Sequence, residues 1–353
     1  MSQASVPMPN HTQGPSSGQG LDNTNFHKFK TVSRENCGIF SKAEIKRQER
    51  MHSCGSWLQF NECPTDDIRF LKQAKFCRDR MCAMCNWRKS ISVKQVMSQV
   101  ATHLVESEKS KFLFLTLTIK NCEIHELRVC LTSINQAFAK MLSRNKRIKN
   151  AVKGYFKAIE VTYNDRTNTF HPHIHAILSV GNRYFKESDY VKHSEWLEAW
   201  REAYGDYDIT QVNVKRMKMG NEFERFNAVS EAVKYSLKPS LFTMKDKTRR
   251  IKVLRELKEQ WRDIRLFSTG GNIKSMVRFV TDDKEIDEAS MMDDYHSKKC
   301  PVCKHDFIER WWGWFQGRYH KIHDETQDHR QRKHDLIREA NYRFEERKAI
   351  QEQ

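Results

Sequence analysis

The chain has 353 residues and carries 62 Lys and Arg against 45 Asp and Glu, a net charge of +17. Its 13 glycines and 7 prolines exclude a collagen-like or Pro/Gly low-complexity chain, and no apolar run approaches the ~20 residues of a membrane-spanning helix. An excess of this size points to a polyanion, most simply nucleic acid, without saying whether the protein binds it or cuts it.

Residues 1–25 are rich in Ser, Gln, Asn, Gly and Pro and lack the apolar core of a signal peptide. They read as a disordered tail on a cytoplasmic protein. A basic stretch with a helix over 42–51 completes a first segment, 1–50. A cysteine-rich segment, 51–90, follows. From 88 to 108, Ile91, Val96, Val100, Leu104 and Val105 recur at helical spacing. The run 112–119 is short, β-prone and bounded by charge, so it predicts a strand. A helix is expected over 124–144. Residues 155–163 and 170–180 form the arms of a hairpin around Asn164-Asp165-Arg166-Thr167-Asn168, which is turn chemistry. A helix over 193–203, a strand over 209–214 and a helix over 223–237, stopped by Pro239, end a segment 91–240. The order predicts an α+β fold, an antiparallel sheet with helices packed on it. The remaining segment, 241–353, holds a charged helical stretch (248–265), an acidic patch (282–294), a second cysteine pair and a charged helix from His323.

The segment His171-Pro172-His173-Ile174-His175 carries the clearest chemistry. Side chains alternate along a strand, so His171, His173 and His175 share one face while Ile174, Ala176 and Leu178 lie on the other. Converging imidazoles on a rigid strand form a platform for a divalent metal. Glu160, on the neighbouring arm, is placed to add a carboxylate. Such a mixed set suits Mg2+ or Mn2+ acting on a phosphate oxygen.

On the 223–237 helix, Glu231 and Tyr235 are four residues apart and share a face. Lys234 and Lys238 flank the tyrosine as candidate phosphate contacts. Cys77, Cys82 and Cys85 lack one ligand for a closed zinc site; Cys54 and Cys63 both lie upstream, and Cys54-Gly55 offers a knuckle-like turn. Arg78, Arg80, Arg88 and Lys89 surround this cluster as further candidate DNA contacts. Cys300-Pro301-Val302-Cys303 reads as half of a second zinc knuckle, to be completed by His320 and His323, or by His296 and His305. The tryptophans between these pairs, Trp311, Trp312 and Trp314, read as packing around that small metal core.

Four segments, taken in order, resemble one family. They are Phe76-Cys77-Arg78-Asp79-Arg80-Met81-Cys82-Ala83-Met84-Cys85-Asn86-Trp87-Arg88, Phe114-Leu115-Thr116-Leu117-Thr118-Ile119-Lys120-Asn121, His171-Pro172-His173-Ile174-His175, and Glu231-Ala232-Val233-Lys234-Tyr235-Ser236-Leu237-Lys238. The combination resembles the rolling-circle plasmid replication initiators of the HUH endonuclease superfamily, in the single-tyrosine branch with an N-terminal zinc-binding segment. It spans about residues 54–240, with one departure at Ala83, where such knuckles commonly carry proline.

The resemblance implies an HUH nuclease with a ferredoxin/RRM-like core plus small zinc-binding modules. It implies that His173 and His175 bind the metal with Glu160, with His171 as a further ligand, a phosphate contact or an orienting group. Tyr235 would be the nicking nucleophile, Glu231 would act in termination, and Cys54 would be the fourth zinc ligand. The implied reaction is site- and strand-specific nicking and rejoining of origin DNA through a 5′-phosphotyrosine, leaving a 3′-OH primer. The implied partners are single-stranded or hairpin origin DNA and a host helicase, single-strand-binding protein and polymerase, with no membrane. The competing readings are a relaxase or single-tyrosine transposase of the same superfamily, and a non-catalytic zinc-containing DNA-binding regulator. The last would leave the histidine strand and Tyr235 idle.

Overall fold

The computed structural model describes residues 21, 24–65, 69–186, 189–236, 239–281, 299–300 and 302–322. The tail over 1–20, the acidic patch at 282–294, His296 and the charged helix from His323 lie outside the described residues. The chain folds as two compact units. Among the described residues, the first holds 86–281 and the second holds 21–85 with 299–322. The border falls in the first turn of α3 (Ala83–Glu108).

The first unit is built on five antiparallel strands. They are β3 (Lys111–Thr118), β4 (Val152–Asn164), β5 (Thr169–Val180), β6 (Val212–Arg216) and β7 (Phe267–Gly270), in the spatial order β6-β3-β5-β4-β7. The predicted hairpin is therefore present as β4–β5, and β5 is the central strand of the sheet. Helices cover both faces. Phe112, Phe156, Ala158 and Ile177 pack with Val100 and Leu104 of α3, with Val229 and Val233 of α7 (Glu222–Ser236), and with Ile273 and Val277 of α9 (Gly271–Val280). By strand parity this is the face that carries His171, His173 and His175.

The opposite face takes α4 (Leu127–Arg144), whose buried Leu127, Leu131, Ile134, Phe138 and Met141 recur three and four residues apart. The Phe138 ring meets Tyr155 edge-on at 5.2 Å, and Asn135 accepts from the buried Lys157 amine. The helix α6 (His193–Tyr204) packs beside α4. It ends at Gly205, which sits in the left-handed region at φ 84°. The short α5 (Lys146–Ala151) and α8 (Lys247–Gln260) complete the unit. The strand expected over 209–214 forms instead at Val212–Arg216, because the Ile209 carbonyl accepts from Arg201 Nε at 2.7 Å at the end of α6.

The second unit contains α1 (Asn25–Glu35), α2 (Ile45–Ser53) and a four-stranded antiparallel sheet. Its strands are β1 (Trp57–Glu62), β2 (Arg69–Ala74), β8 (Ile308–Phe315) and β9 (Arg318–Ile322), in the order β2-β1-β8-β9. Thr24 caps α1 by accepting from the His27 N–H. This sheet has a polar interior. Glu62 faces Arg69 across the β1–β2 ladder, both buried, with Arg69 Nε 2.9 Å from Glu62 Oε1. Trp311 and Trp312 lie in β8, where Trp311 packs 4.2 Å from the Trp57 ring and Trp312 is buried. Among the described residues, no helix is long and apolar enough to cross a membrane.

One backbone position in the first unit is under tight constraint. Gly271 joins β7 to α9 at φ 59°, and a Cβ there would collide with the Lys153 carbonyl oxygen. Gly205 has a similar φ but nothing within 4 Å of a Cβ. Gly271→Ala is expected to cost roughly 3 kcal/mol or more of unfolding free energy, and Gly205→Ala about 1 kcal/mol. Urea denaturation of the two variants checks this; equal losses would show that the collision is relieved cheaply.

Candidate active site

The β4–β5 ladder places Glu160 directly opposite His173, Ala158 opposite His175 and Thr162 opposite His171. Residues facing each other across an antiparallel pair point to the same side, so Glu160 joins the histidine face. All three ligand candidates are buried, with Glu160 4% exposed, His173 8% and His175 7%. Glu160 Oε2 lies 3.1 Å from His173 Nε2 and 3.0 Å from His175 Nε2. Two ligand atoms at right angles about a cation ~2.1 Å away stand about 3.0 Å apart. The observed spacings match that edge.

The outer nitrogens are also engaged. His175 Nδ1 is 3.1 Å from Thr116 Oγ1 on β3, and its ring stacks on Phe114 at 5.5 Å. His173 Nδ1 is 3.1 Å from the His171 carbonyl oxygen and must donate to it. In a neutral imidazole that leaves the Nε2 lone pair facing a carboxylate oxygen. The arrangement therefore asks for a cation between them, either a proton or a metal. Burial raises the Glu160 carboxyl, but its hydrogen bonds with His173 and His175 more than offset this and hold it at about 2. It is an anion aimed at two imidazoles, and the three groups together can hold a metal ion.

His171 is half-buried, its ring 5.2 Å from that of His173, and it stands outside this group of three. Burial, then the neighbouring His173, lowers its pKa. Glu231, Lys234 and Tyr235 lie on α7, with Glu231 one turn before Tyr235. Buried Val229 and Val233 seat this helix on the same sheet face as the histidines. Lys238 lies outside the described residues.

The second unit gathers Cys54, Cys77, Cys82 and Cys85 into one group. The Cys85 sulfur lies 3.5 Å from that of Cys54 and 3.6 Å from that of Cys77. Sulfurs at the corners of a zinc tetrahedron with ~2.3 Å bonds stand about 3.8 Å apart, so the four fit zinc. Burial opposes ionisation of Cys82, but hydrogen bonds from Cys54, Cys77, Cys85 and Ser33 outweigh it and hold the thiol well below its usual range. Lys30, fully buried, donates to the carbonyls of His52 and Cys54 at 2.8 and 2.7 Å and to Ser56 Oγ. Burial lowers its amine to about 7, against the opposing pull of Cys54.

Cys63 stands elsewhere. The six residues of β1 separate it from Cys54, a distance of roughly 20 Å along an extended strand. It meets Cys300 and Cys303 instead. His320, expected beside that pair, has its Nε2 3.2 Å from the Phe315 carbonyl oxygen, and His323 lies outside the described residues. Of the expected DNA contacts, Arg78 and Arg80 are exposed in the loop between Cys77 and Cys82. Lys89 is half-buried, its amine 3.7 Å from the Phe267 ring centroid. Arg88 departs from expectation. It is 2% exposed with its guanidinium 5.7 Å from the Trp87 ring, so it cannot meet a phosphate from solvent.

The family model described as replication protein matches residues 68–320. The chain belongs to this replication protein family. It is 32% identical over 229 residues to Protein rep of Streptococcus pneumoniae serotype 2 (strain D39 / NCTC 7466), covering 63% of this chain and 70% of that one. It is 32% identical to Protein rep of Staphylococcus aureus, over 61% of this chain and 94% of that protein. It is 29% identical to Protein rep of Lactiplantibacillus plantarum, over 76% and 86% of the two chains. No solved structure matches. The resemblance seen in the sequence motifs is thus one of family membership, and the chain is a replication initiator.

Thr116 contacts no ligand oxygen and acts only on the far side of His175. Thr116→Val should weaken Mn2+ binding roughly tenfold, as read by electron paramagnetic resonance titration. Unchanged affinity would show that the hydroxyl does not orient the ring.

Proposed function

We propose that this replication initiator nicks and rejoins one strand of a plasmid origin, starting rolling-circle replication through a covalent link to Tyr235. The carrying observation is the convergence of His173 Nε2, His175 Nε2 and Glu160 Oε2 on the sheet face that α7 covers. A purely DNA-binding regulator has no use for a buried carboxylate wedged between two imidazoles. When bound at these three residues, Mg2+ or Mn2+ supplies positive charge to a non-bridging oxygen of the scissile phosphate.

The protein's own groups do the rest. The Tyr235 oxygen bonds to phosphorus as the bond to the deoxyribose 3′ oxygen breaks. The phenolic proton leaves the tyrosine, and the departing 3′ oxygen ends as the hydroxyl that primes synthesis. A phenol of pKa ~10 is a poor nucleophile unassisted, which is why charge at the phosphate matters. The phosphodiester energy is kept in the tyrosyl link, so rejoining needs no nucleoside triphosphate. Glu231, one turn before Tyr235 on α7, is the general base that activates water at termination, releasing one strand end by hydrolysis.

Arg78, Arg80, Lys89, Lys234 and Lys238 hold DNA phosphates, so binding weakens steeply as salt rises. Zinc at Cys54, Cys77, Cys82 and Cys85 is structural. His171 orients the centre. The reaction runs in the cytoplasm on a single-stranded or hairpin nick site, with a host helicase, single-strand-binding protein and DNA polymerase extending the primer.

Two substitutions test the chemistry. Tyr235→Phe abolishes the covalent protein–DNA adduct on denaturing gels while leaving origin binding intact; an undiminished adduct sinks the nucleophile assignment. Glu231→Ala keeps first-round nicking but accumulates unterminated product. Normal termination by that variant would assign the water-activating role elsewhere.

A further inference from the structure

We infer that Cys63, Cys300 and Cys303 hold a second zinc ion, one that staples the end of β1 to the start of the β8–β9 hairpin. The three sulfurs converge within 4.8 Å of one another although Cys63 and Cys303 are 240 positions apart. The Cys63 and Cys303 sulfurs lie 3.3 Å apart. That is well beyond a disulfide bond of ~2.05 Å and near the edge of a zinc–thiolate tetrahedron.

The turn around the pair is built for a metal. The Cys300 N–H donates to the His305 carbonyl at 2.8 Å, and the Lys304 N–H to the Cys300 carbonyl at 3.0 Å. Lys304 adopts a φ of 64°, and the N–H of His305 turns onto the Cys303 sulfur. The same device recurs in the first cysteine group. There Arg78 has a φ of 57° and the Asp79 N–H reaches the Cys77 sulfur at 3.5 Å. Backbone donors aimed at sulfur stabilise thiolate, which is the form that binds zinc. Three thiolates select a soft-ligand ion and fill three corners of a zinc tetrahedron.

The site has a structural task. β1 pairs with β8, and Cys63 follows the last residue of β1. The ladder opposes Glu62 to Ile308, so the cysteine turn sits where the two strands part. Closing a loop this long without a clip carries a large entropic cost, and a metal bond there offsets it.

The test uses full-length protein with His173→Ala and His175→Ala, so that the nuclease centre adds no metal. Purified without added metal, it should hold two zinc ions per chain by mass spectrometry. After exchange into Co2+, both equivalents should give the sulfur-to-cobalt charge-transfer band. Cys63→Ser and Cys303→Ser should each lose one ion, and Cys63→His should keep it. One thiolate-bound ion per chain in the parent overturns the proposal, whether or not the serine variants fold. Retention of two ions in both serine variants overturns it as well, as does a disulfide among the three cysteines. Nicking by wild-type protein bears on neither outcome, so this site and the proposed reaction stand or fall separately.

Discussion

Antiparallel pairing of β4 with β5 sets Glu160 against His173, and the centre exists only in that register. A slip of one residue turns Glu160 to the face covered by α4 and leaves the histidines without a carboxylate. The register is held at three levels. At the turn, the Asn164 side chain accepts from the N–H groups of Arg166 and Thr167, and Asn168 takes a φ of 56°. The Tyr163 hydroxyl donates to Asn168 Oδ1 at 2.7 Å. Along the strand, β5 is paired on both sides, with Thr116 and Thr118 of β3 opposite His175 and His173. Across the sheet, the two faces differ too much to exchange. Ile174, Ala176 and Leu178 are fully buried on the α4 side.

That rigidity carries a cost, because three ionisable groups are buried together. An isolated carboxylate there would be strongly unfavourable, and two neutral imidazoles would only partly offset it. The same geometry makes the pocket a good host for a cation. The helix carrying Tyr235 is anchored independently, through Val229 and Val233 in the core beneath it. The His/Glu group and Tyr235 are thus tied to one sheet rather than to each other.

The first unit was largely legible because its signals are local. Alternation over eight residues marks β3, asparagine chemistry marks the hairpin turn, and the spaced histidines declare both strand and chemistry. Its edge was not. β7 has four residues, and only Gly270-Gly271 hinted that backbone passes close by. The second sheet was missed whole. In β1 the pattern Trp57-Leu58-Gln59-Phe60-Asn61-Glu62 alternates like a strand, yet Gln59, Asn61 and Glu62 are buried too. Its partner β8 lies some 250 positions away, beyond any local signal. That same strand decides between Cys54 and Cys63, which sequence spacing alone left as rivals. Arg88 is buried because the helix begins at Ala83, ahead of the apolar spacing that starts at Ile91, and its first turns bury Ala83, Met84, Cys85, Trp87 and Arg88.

The second unit is discontinuous in the chain, since residues 86–281 are threaded between its two parts. This gives synthesis an order. Cys54, Cys77, Cys82 and Cys85 emerge together and can close on their own. β1 then waits for β8 while all of the first unit is made, on the order of tens of seconds at ordinary elongation rates. During that interval one edge of β1 is open, with Trp57 and Phe60 unshielded by their later neighbours. A chain whose synthesis stops before residue 308 therefore carries Glu160, His173, His175 and Tyr235 complete, with one edge of β1 left unpaired.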